Sequence, residues 1–265
     1  MALTILQYLI LGIVQGITEW LPVSSSGVLT LILSNVFQIT DVKIILSELL
    51  FLHLGTFLAA AIYFRKDVSK LMSSLFRYRT SDRETKLTLN FLIVSTIITA
   101  VIGLIILQIL TSQNLELTGK TITFVVGLLL FFTGIFQVKI KTRGIRKEIN
   151  LKRNDGIILG LMQGLSVLPG LSRSGVTISA LLLKKFDDTS ALRLSFLMSL
   201  PVVLFGNLLL NWNQLGLSGA AIYGLLASFV FGLITIHGLM KFSRKINFGG
   251  FIIIFAALMM LSVLV

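Results

Sequence analysis

Two short polar segments of this chain carry residues suited to chemistry on a phosphate: Glu19-Trp20-Leu21-Pro22-Val23-Ser24-Ser25-Ser26-Gly27, and Leu168-Pro169-Gly170-Leu171-Ser172-Arg173-Ser174-Gly175. In each, serines precede an apolar stretch, and serine is among the preferred helix N-caps. A helix N-terminus offers unpaired N–H groups and the positive end of its dipole, which together favour an anion. Arg173 adds a planar fork of donors matched to phosphate oxygens. The plainer alternative is that Arg173 only neutralises Glu19. Gln15 and Glu19 are four residues apart and share a helical face. Glu19 suits a general base, or a ligand for Mg²⁺ or Ca²⁺ shared with substrate phosphates. One carboxylate and one amide are too few for a metal cage, so such a cation would arrive with the substrate. Gln15 equally suits capping of backbone groups at a helix break.

The surrounding elements must hold these segments inside a membrane. Of 265 residues, 55% are hydrophobic and 13% charged, with a mean hydropathy of +0.95. Soluble chains carry about 25% charged residues, so a soluble enzyme is excluded. The absence of cysteine excludes disulfides, thiolate metal sites and a cysteine nucleophile. The first residues lack the basic stretch of a cleaved signal peptide and read as mature sequence. Six apolar runs are long enough to span, at about 44–64, 89–110, 121–140, 189–211, 217–240 and 248–265. Residues 2–37 and 156–183 are apolar but interrupted by the two polar segments, leaving arms too short to cross comfortably. Each reads as a re-entrant helical hairpin. The predicted fold is an all-α polytopic membrane protein of six transmembrane helices plus two re-entrant hairpins.

Threading the chain this way puts nineteen basic residues, in loops 65–88, 139–155, 184–188 and 241–247, on one face, against Lys43 and Lys120 on the other. The positive-inside rule makes the basic face cytoplasmic and places both termini outside. The net charge of +12 thus reports orientation rather than a nucleic-acid partner.

The interruptions also resemble each other. Gly12-Ile-Val-Gln15-Gly16 matches Gly160-Leu-Met-Gln163-Gly164, and Ser24-Ser25-Ser26-Gly27-Val28 matches Ser172-Arg173-Ser174-Gly175-Val176. This predicts an internal duplication, 1–150 and 151–265, each copy a hairpin plus three spans. Three is odd, so the second copy is inverted and the hairpin tips can meet near the midplane.

Other polar residues carry less. His53, roughly 14 Å into its span at 1.5 Å per residue, could approach the tips, although a packing or hydrogen-bonding role is the stronger reading. Glu48 does not share its face. His237 and Arg193 can snorkel, and Pro201 is expected to kink its helix.

The segments Gln15-x-x-x-Glu19 with Leu21-Pro22-Val23-Ser24-Ser25-Ser26-Gly27, and Pro169-Gly170-Leu171-Ser172-Arg173-Ser174-Gly175-Val176-Thr177, closely resemble the signatures of the undecaprenyl-diphosphate phosphatase family, the bacitracin-resistance type. The resemblance extends over essentially the whole chain. It implies a plasma-membrane enzyme that hydrolyses a polyprenyl diphosphate to the monophosphate, recycling the lipid carrier of cell-wall glycans, with a divalent metal, and it leaves a homodimer open. It assigns Glu19 as motif acid, Ser25 as nucleophile or phosphate-holding serine, and Arg173 as phosphate-binding arginine. Ser24, Ser26, Gly170, Ser172, Ser174 and Thr177 join the phosphate-binding set, and Gln15 stands beside Glu19 as metal ligand. Two positions depart from the pattern: Val28 replaces the usual histidine, and Gln15 takes the less acidic option. Hydrolysis must then rely on Glu19, Ser25, a metal-bound water or His53 as a substitute base. A polyprenyl-phosphate flippase or anion transporter is the rival reading.

Overall fold

The computed structural model describes residues 3–112, 144–168, 170–211 and 219–243, with isolated positions in 124–138 and 253–260. Among the described residues it is all-helical, without strands beyond one isolated bridge between Arg146 and Phe186. The helices are α1 (Ile5–Thr18), α2 (Ser25–Leu31), α3 (Val42–Tyr63), α4 (Arg65–Phe76), α5 (Arg83–Ser112), α6 (Arg153–Leu165), α7 (Arg173–Leu183), α8 (Asp188–Leu210) and α9 (Gly219–Phe242).

Four of them, α3, α5, α8 and α9, are long and apolar enough to cross a bilayer. They match four of the six expected spans, and the other two, 121–140 and 248–265, fall mostly outside the described residues. Both predicted interruptions are real helix breaks. Pro22 lacks an N–H and restricts the residue before it, and α1 stops at Thr18. The chain restarts at Ser24, whose Oγ accepts the Gly27 N–H at 3.1 Å. The second break is built alike, with Ser172 Oγ accepting the Gly175 N–H at 3.1 Å to start α7. α2 runs on through a π-type turn, Ile32–Val36.

Small residues set the packing, as expected where apolar surface alone gives helices little reason to associate. A Cβ on Gly12 would lie 2.2 Å from the Gly224 carbonyl oxygen, and one on Gly16 2.7 Å from the Gly232 nitrogen, so α1 rides directly on α9. On the other side, a Cβ on Gly160 would meet the Ser95 carbonyl at 2.8 Å, and one on Gly164 the Ile102 Cβ at 2.7 Å. Thus α6 rides on α5, and the first arm of each broken pair is held by a helix from the other half of the chain. Gly12→Ala should therefore destabilise the protein by about 1–3 kcal/mol through overpacking. Gly238→Ala, where a Cβ meets nothing within 4 Å, should be neutral or stabilising. Thermal unfolding in detergent separates the two.

The structure changes two expectations away from the breaks. Segment 65–88 is not an open loop, because Val68, Leu71, Met72, Leu75 and Phe76 recur at helical spacing and form α4, followed by a 3₁₀ turn, Tyr78–Thr80. Arg193 does not snorkel freely: it pairs with Asp67 at 2.5 Å and with Glu148 at 3.1 Å. Asp155 pairs with Arg146 at 2.7 Å and Lys184 at 3.1 Å. These contacts gather segments 65–88, 144–155 and 184–193 at one end of the bundle. α8 continues through Pro201.

Candidate active site

The two breaks interlock. Gly170 N–H donates to Ser24 Oγ at 3.2 Å, and Ser174 Oγ donates to the Leu21 carbonyl at 2.6 Å. Each capping serine also contacts the serine two residues on: Ser24 to Ser26 at 3.2 Å, Ser172 to Ser174 at 3.3 Å.

Glu19, at the C-cap of α1 and buried, is the hub. Its Oε1 receives Arg173 Nη2 from the other break. Its Oε2 accepts from Ser25 Oγ at 2.6 Å and Gln15 Nε2 at 3.1 Å, and lies 3.1 Å from His53 Nε2 on α3. A charge buried at this depth is costly unless paired, and here it is paired from three elements. Arg173 Nη1 donates to the Ser195 carbonyl on α8 at 3.2 Å, and the guanidinium sits 5.7 Å from the Trp20 ring centroid. Trp20 in turn meets Phe196 edge-on at 4.8 Å. These two bonds use two of the five guanidinium N–H donors, so the fork can still bind an anion. His53 Nδ1 lies 2.5 Å from the Leu49 carbonyl, so the imidazole bridges two acceptors.

A cavity of about 600 Å³ opens onto this cluster. Glu19, Ser25, His53, Arg173 and Ser174 line its inner end, and Leu50, Leu104, Val203 and Phe205 wall the rest. Lys43, exposed at the start of α3, and Asn211, buried against Ser47, line it as well. From His53 to Lys43 is ten residues of α3, about 15 Å at 1.5 Å per residue.

The structure sorts the expected site residues. Glu19, Ser24, Ser25, Ser26, Ser172, Arg173, Ser174 and His53 all line the cavity. Gly170 lies outside the cavity lining, its N–H donating to Ser24 Oγ. Thr177, on α7 itself, also lies outside the lining: it is fully buried, its Oγ1 2.7 Å from Ser195 Oγ and donating to the Arg173 carbonyl at 2.8 Å. Gln15 braces Glu19 from behind and does not reach the cavity. Val28 is absent from the cavity walls, whereas His53 contacts the acid directly. Sequence reasoning missed Trp20 and Ser195. Trp20, adjacent to Glu19 in the motif, carried a signal; Ser195 is joined to Arg173 only by tertiary contact.

The donor set does not fit a resident metal. Both Glu19 oxygens are engaged, and Gln15 Oε1, although without a hydrogen-bond partner, is buried away from the cavity. No group of three or more His, Cys, Asp or Glu residues is placed to hold an ion among the described residues.

Comparison with known proteins decides the family. The profile described as "Bacitracin resistance protein BacA" matches residues 8–261. The chain belongs to the BacA family. A relative from Methanococcoides burtonii, named undecaprenyl-diphosphatase, is 40% identical over 261 residues, covering 95% of each chain. Relatives of the same name from Haloarcula marismortui (34% identical; 96% of this chain, 95% of the relative) and Borrelia recurrentis (35% identical; 91% of each) match over similar lengths. The BacA match thus includes both breaks and all four long apolar helices.

Proposed function

We propose that this protein hydrolyses an undecaprenyl-type polyprenyl diphosphate to the monophosphate and inorganic phosphate, recycling the lipid carrier of cell-envelope glycan synthesis. The observation that carries this reading is the junction of Arg173 with the Glu19–Ser25 pair on the wall of a largely apolar cavity. The diphosphate belongs at the charged end and the isoprenoid chain along the walls. The name shared by the relatives supports the same substrate and reaction class. A transport reading explains the paired breaks but gives no role to a serine held 2.6 Å from a carboxylate.

In the proposed reaction, Arg173 and the N-terminus of α7 hold the terminal phosphoryl group and offset charge on its equatorial oxygens, where phosphoryl transfer gains most of its catalysis. Ser25 Oγ attacks phosphorus and the bond to the bridging oxygen breaks. The serine proton passes through Glu19 to the departing bridging oxygen of the polyprenyl monophosphate. Water then attacks the phosphoserine; one proton stays on the released phosphate and the other returns through Glu19 to Ser25. His53 fixes the carboxylate and steadies its charge. A divalent cation, Mg²⁺ or Ca²⁺, enters this scheme only as a counterion carried by the diphosphate.

The breaks suggest two inverted repeats, residues 1–150 and 151–265, each a re-entrant hairpin plus three spans, six spans in all. Equivalent places are filled differently. His53 and Ser199 each lie twelve residues past an N-cap aspartate, Asp41 or Asp187, while Val167 answers to Glu19 and Ser25 to Arg173. The basic end is cytoplasmic and both termini lie outside in a plasma membrane, which puts Lys43 and the part of the cavity it lines on the outer side.

The test is a panel of diphosphates differing in tail length, with phosphate release measured in detergent. Each buried methylene is worth about 0.8 kcal/mol, so inorganic diphosphate should turn over at least about 100-fold less efficiently than a long polyprenyl diphosphate. EDTA should slow the reaction. Equal turnover of tailless and tailed substrates would overturn the lipid assignment.

A further inference from the structure

The basic segment that follows α3 forms a surface the proposed reaction does not use. α3 ends at Tyr63 and α4 begins at Arg65, the chain bending at Phe64 (φ −95°, ψ 26°). α4 therefore starts where an apolar span stops, and its 12 residues extend only about 18 Å. One flank is fastened to the protein: Asp67 to Arg193, Ser74 to Ser81, with Val68 and Leu71 packed on the core. The turn beyond is folded back onto α5 by Lys86 Nζ on the Arg79 carbonyl at 2.9 Å and Asn90 Nδ2 on Tyr78 Oη at 2.8 Å. So anchored, α4 holds out Met72, Leu75 and Phe76, the last 85% exposed. Lys66 and Lys70 lie on its polar side, and Arg77 and Arg79 just beyond its end, all exposed. Across 65–88 there are seven Lys and Arg against Asp67, Asp82 and Glu84, and Asp67 is already committed to Arg193.

An exposed apolar edge beside a cationic face, at the end of a membrane span, matches the pattern of helices that lie in the headgroup plane. We propose that α4 is an interfacial binding site for anionic phospholipids. Phe76, Leu75 and Met72 enter the acyl boundary, and Lys66, Lys70, Arg77 and Arg79 contact headgroup phosphates. Apolar burial alone would accept any lipid; the charge imbalance selects anionic ones, each basic residue near such a surface raising binding roughly fivefold. Because Asp67 ties α4 to α8, the bound lipid also fixes the end of the helix whose Ser195 carbonyl holds Arg173. The proposal stands independently of the reaction assigned to the cavity.

The chain has no cysteine, so Phe76→Cys provides a single attachment point for an environment-sensitive fluorophore. The labelled protein is placed in phosphatidylcholine vesicles containing phosphatidylglycerol, with bromine quenchers on the acyl chains of one lipid or the other. At equal bromine content, brominated phosphatidylglycerol should quench the label at least about twofold more. The combined change Lys66→Glu and Lys70→Glu should remove that preference, and a label at Asp82→Cys should be quenched by neither lipid. Equal quenching by both lipids would overturn selection of anionic headgroups. A label at position 76 quenched by neither lipid, or shielded only at high protein density, would place water or a second copy on this face and overturn the site itself.

Discussion

Arg173→Ala is expected to lower phosphate release from a polyprenyl diphosphate by at least about 1,000-fold, the upper range for loss of a preorganised electrostatic donor. The arginine is held from three sides, by Glu19, the Ser195 carbonyl and the Trp20 ring. Its remaining N–H groups therefore meet the substrate without reorganisation. Removing it also leaves Glu19 with only His53 as a cationic partner, and breaking a buried pair costs about 3–5 kcal/mol of stability. Activity must accordingly be read on protein that still unfolds cooperatively. Arg173→Lys separates the two effects. A lysine restores a charge beside Glu19 but is a compact point charge without the planar fork, so it should recover stability while leaving most of the activity lost, with a raised KM. Full recovery by lysine would reduce the arginine to charge neutralisation.

Glu19→Gln should reduce kcat by about 100- to 10,000-fold, the range for loss of a positioned general base, with a different kinetic signature. The amide keeps the shape of the side chain but cannot take the Ser25 proton across the 2.6 Å contact. Arg173, released from its buried partner, is freer to bind phosphate. KM should therefore stay level or fall while kcat collapses, in contrast to the raised KM of Arg173→Lys. A variant that loses affinity but keeps kcat would make Glu19 a substrate-positioning group and would remove it from proton transfer.

Both variants concern residues that were legible in the sequence, for physical reasons. Polar side chains inside apolar runs are expensive, so Glu19, the two serine clusters and Arg173 stood out against their neighbours. Pro22 and the capping serines marked the breaks in the same way, and the long apolar runs gave α3, α8 and α9 to within two residues, while α5 begins six residues before its expected start. What the sequence concealed is tertiary. His53 read more readily as a packing residue, and only the fold brings its Nε2 to 3.1 Å from Glu19. Gly170 and Thr177 belong to the motif yet direct their polar groups at Ser24 and Ser195, because the interlocked breaks need internal hydrogen bonds of their own. Arg193 looked free to snorkel, since nothing local announces that α4 and the turn Glu148–Asn150 deliver two carboxylates to it. α4 itself was hidden by its charges, which outweigh a short amphipathic period when a segment is read for hydropathy alone.

The central claim is that an acid and a serine from one broken segment and an arginine from the other act together on a single lipid diphosphate. It is tested most directly by purified protein in detergent given a long polyprenyl diphosphate, with inorganic phosphate and lipid monophosphate quantified together. The account predicts the two products in equal amounts from the unaltered chain, and release lowered by at least about 100-fold in Glu19→Gln and about 1,000-fold in Arg173→Ala. Turnover within about tenfold of the unaltered chain in either folded variant, or labelled polyprenyl phosphate crossing vesicles with no phosphate released, would contradict it.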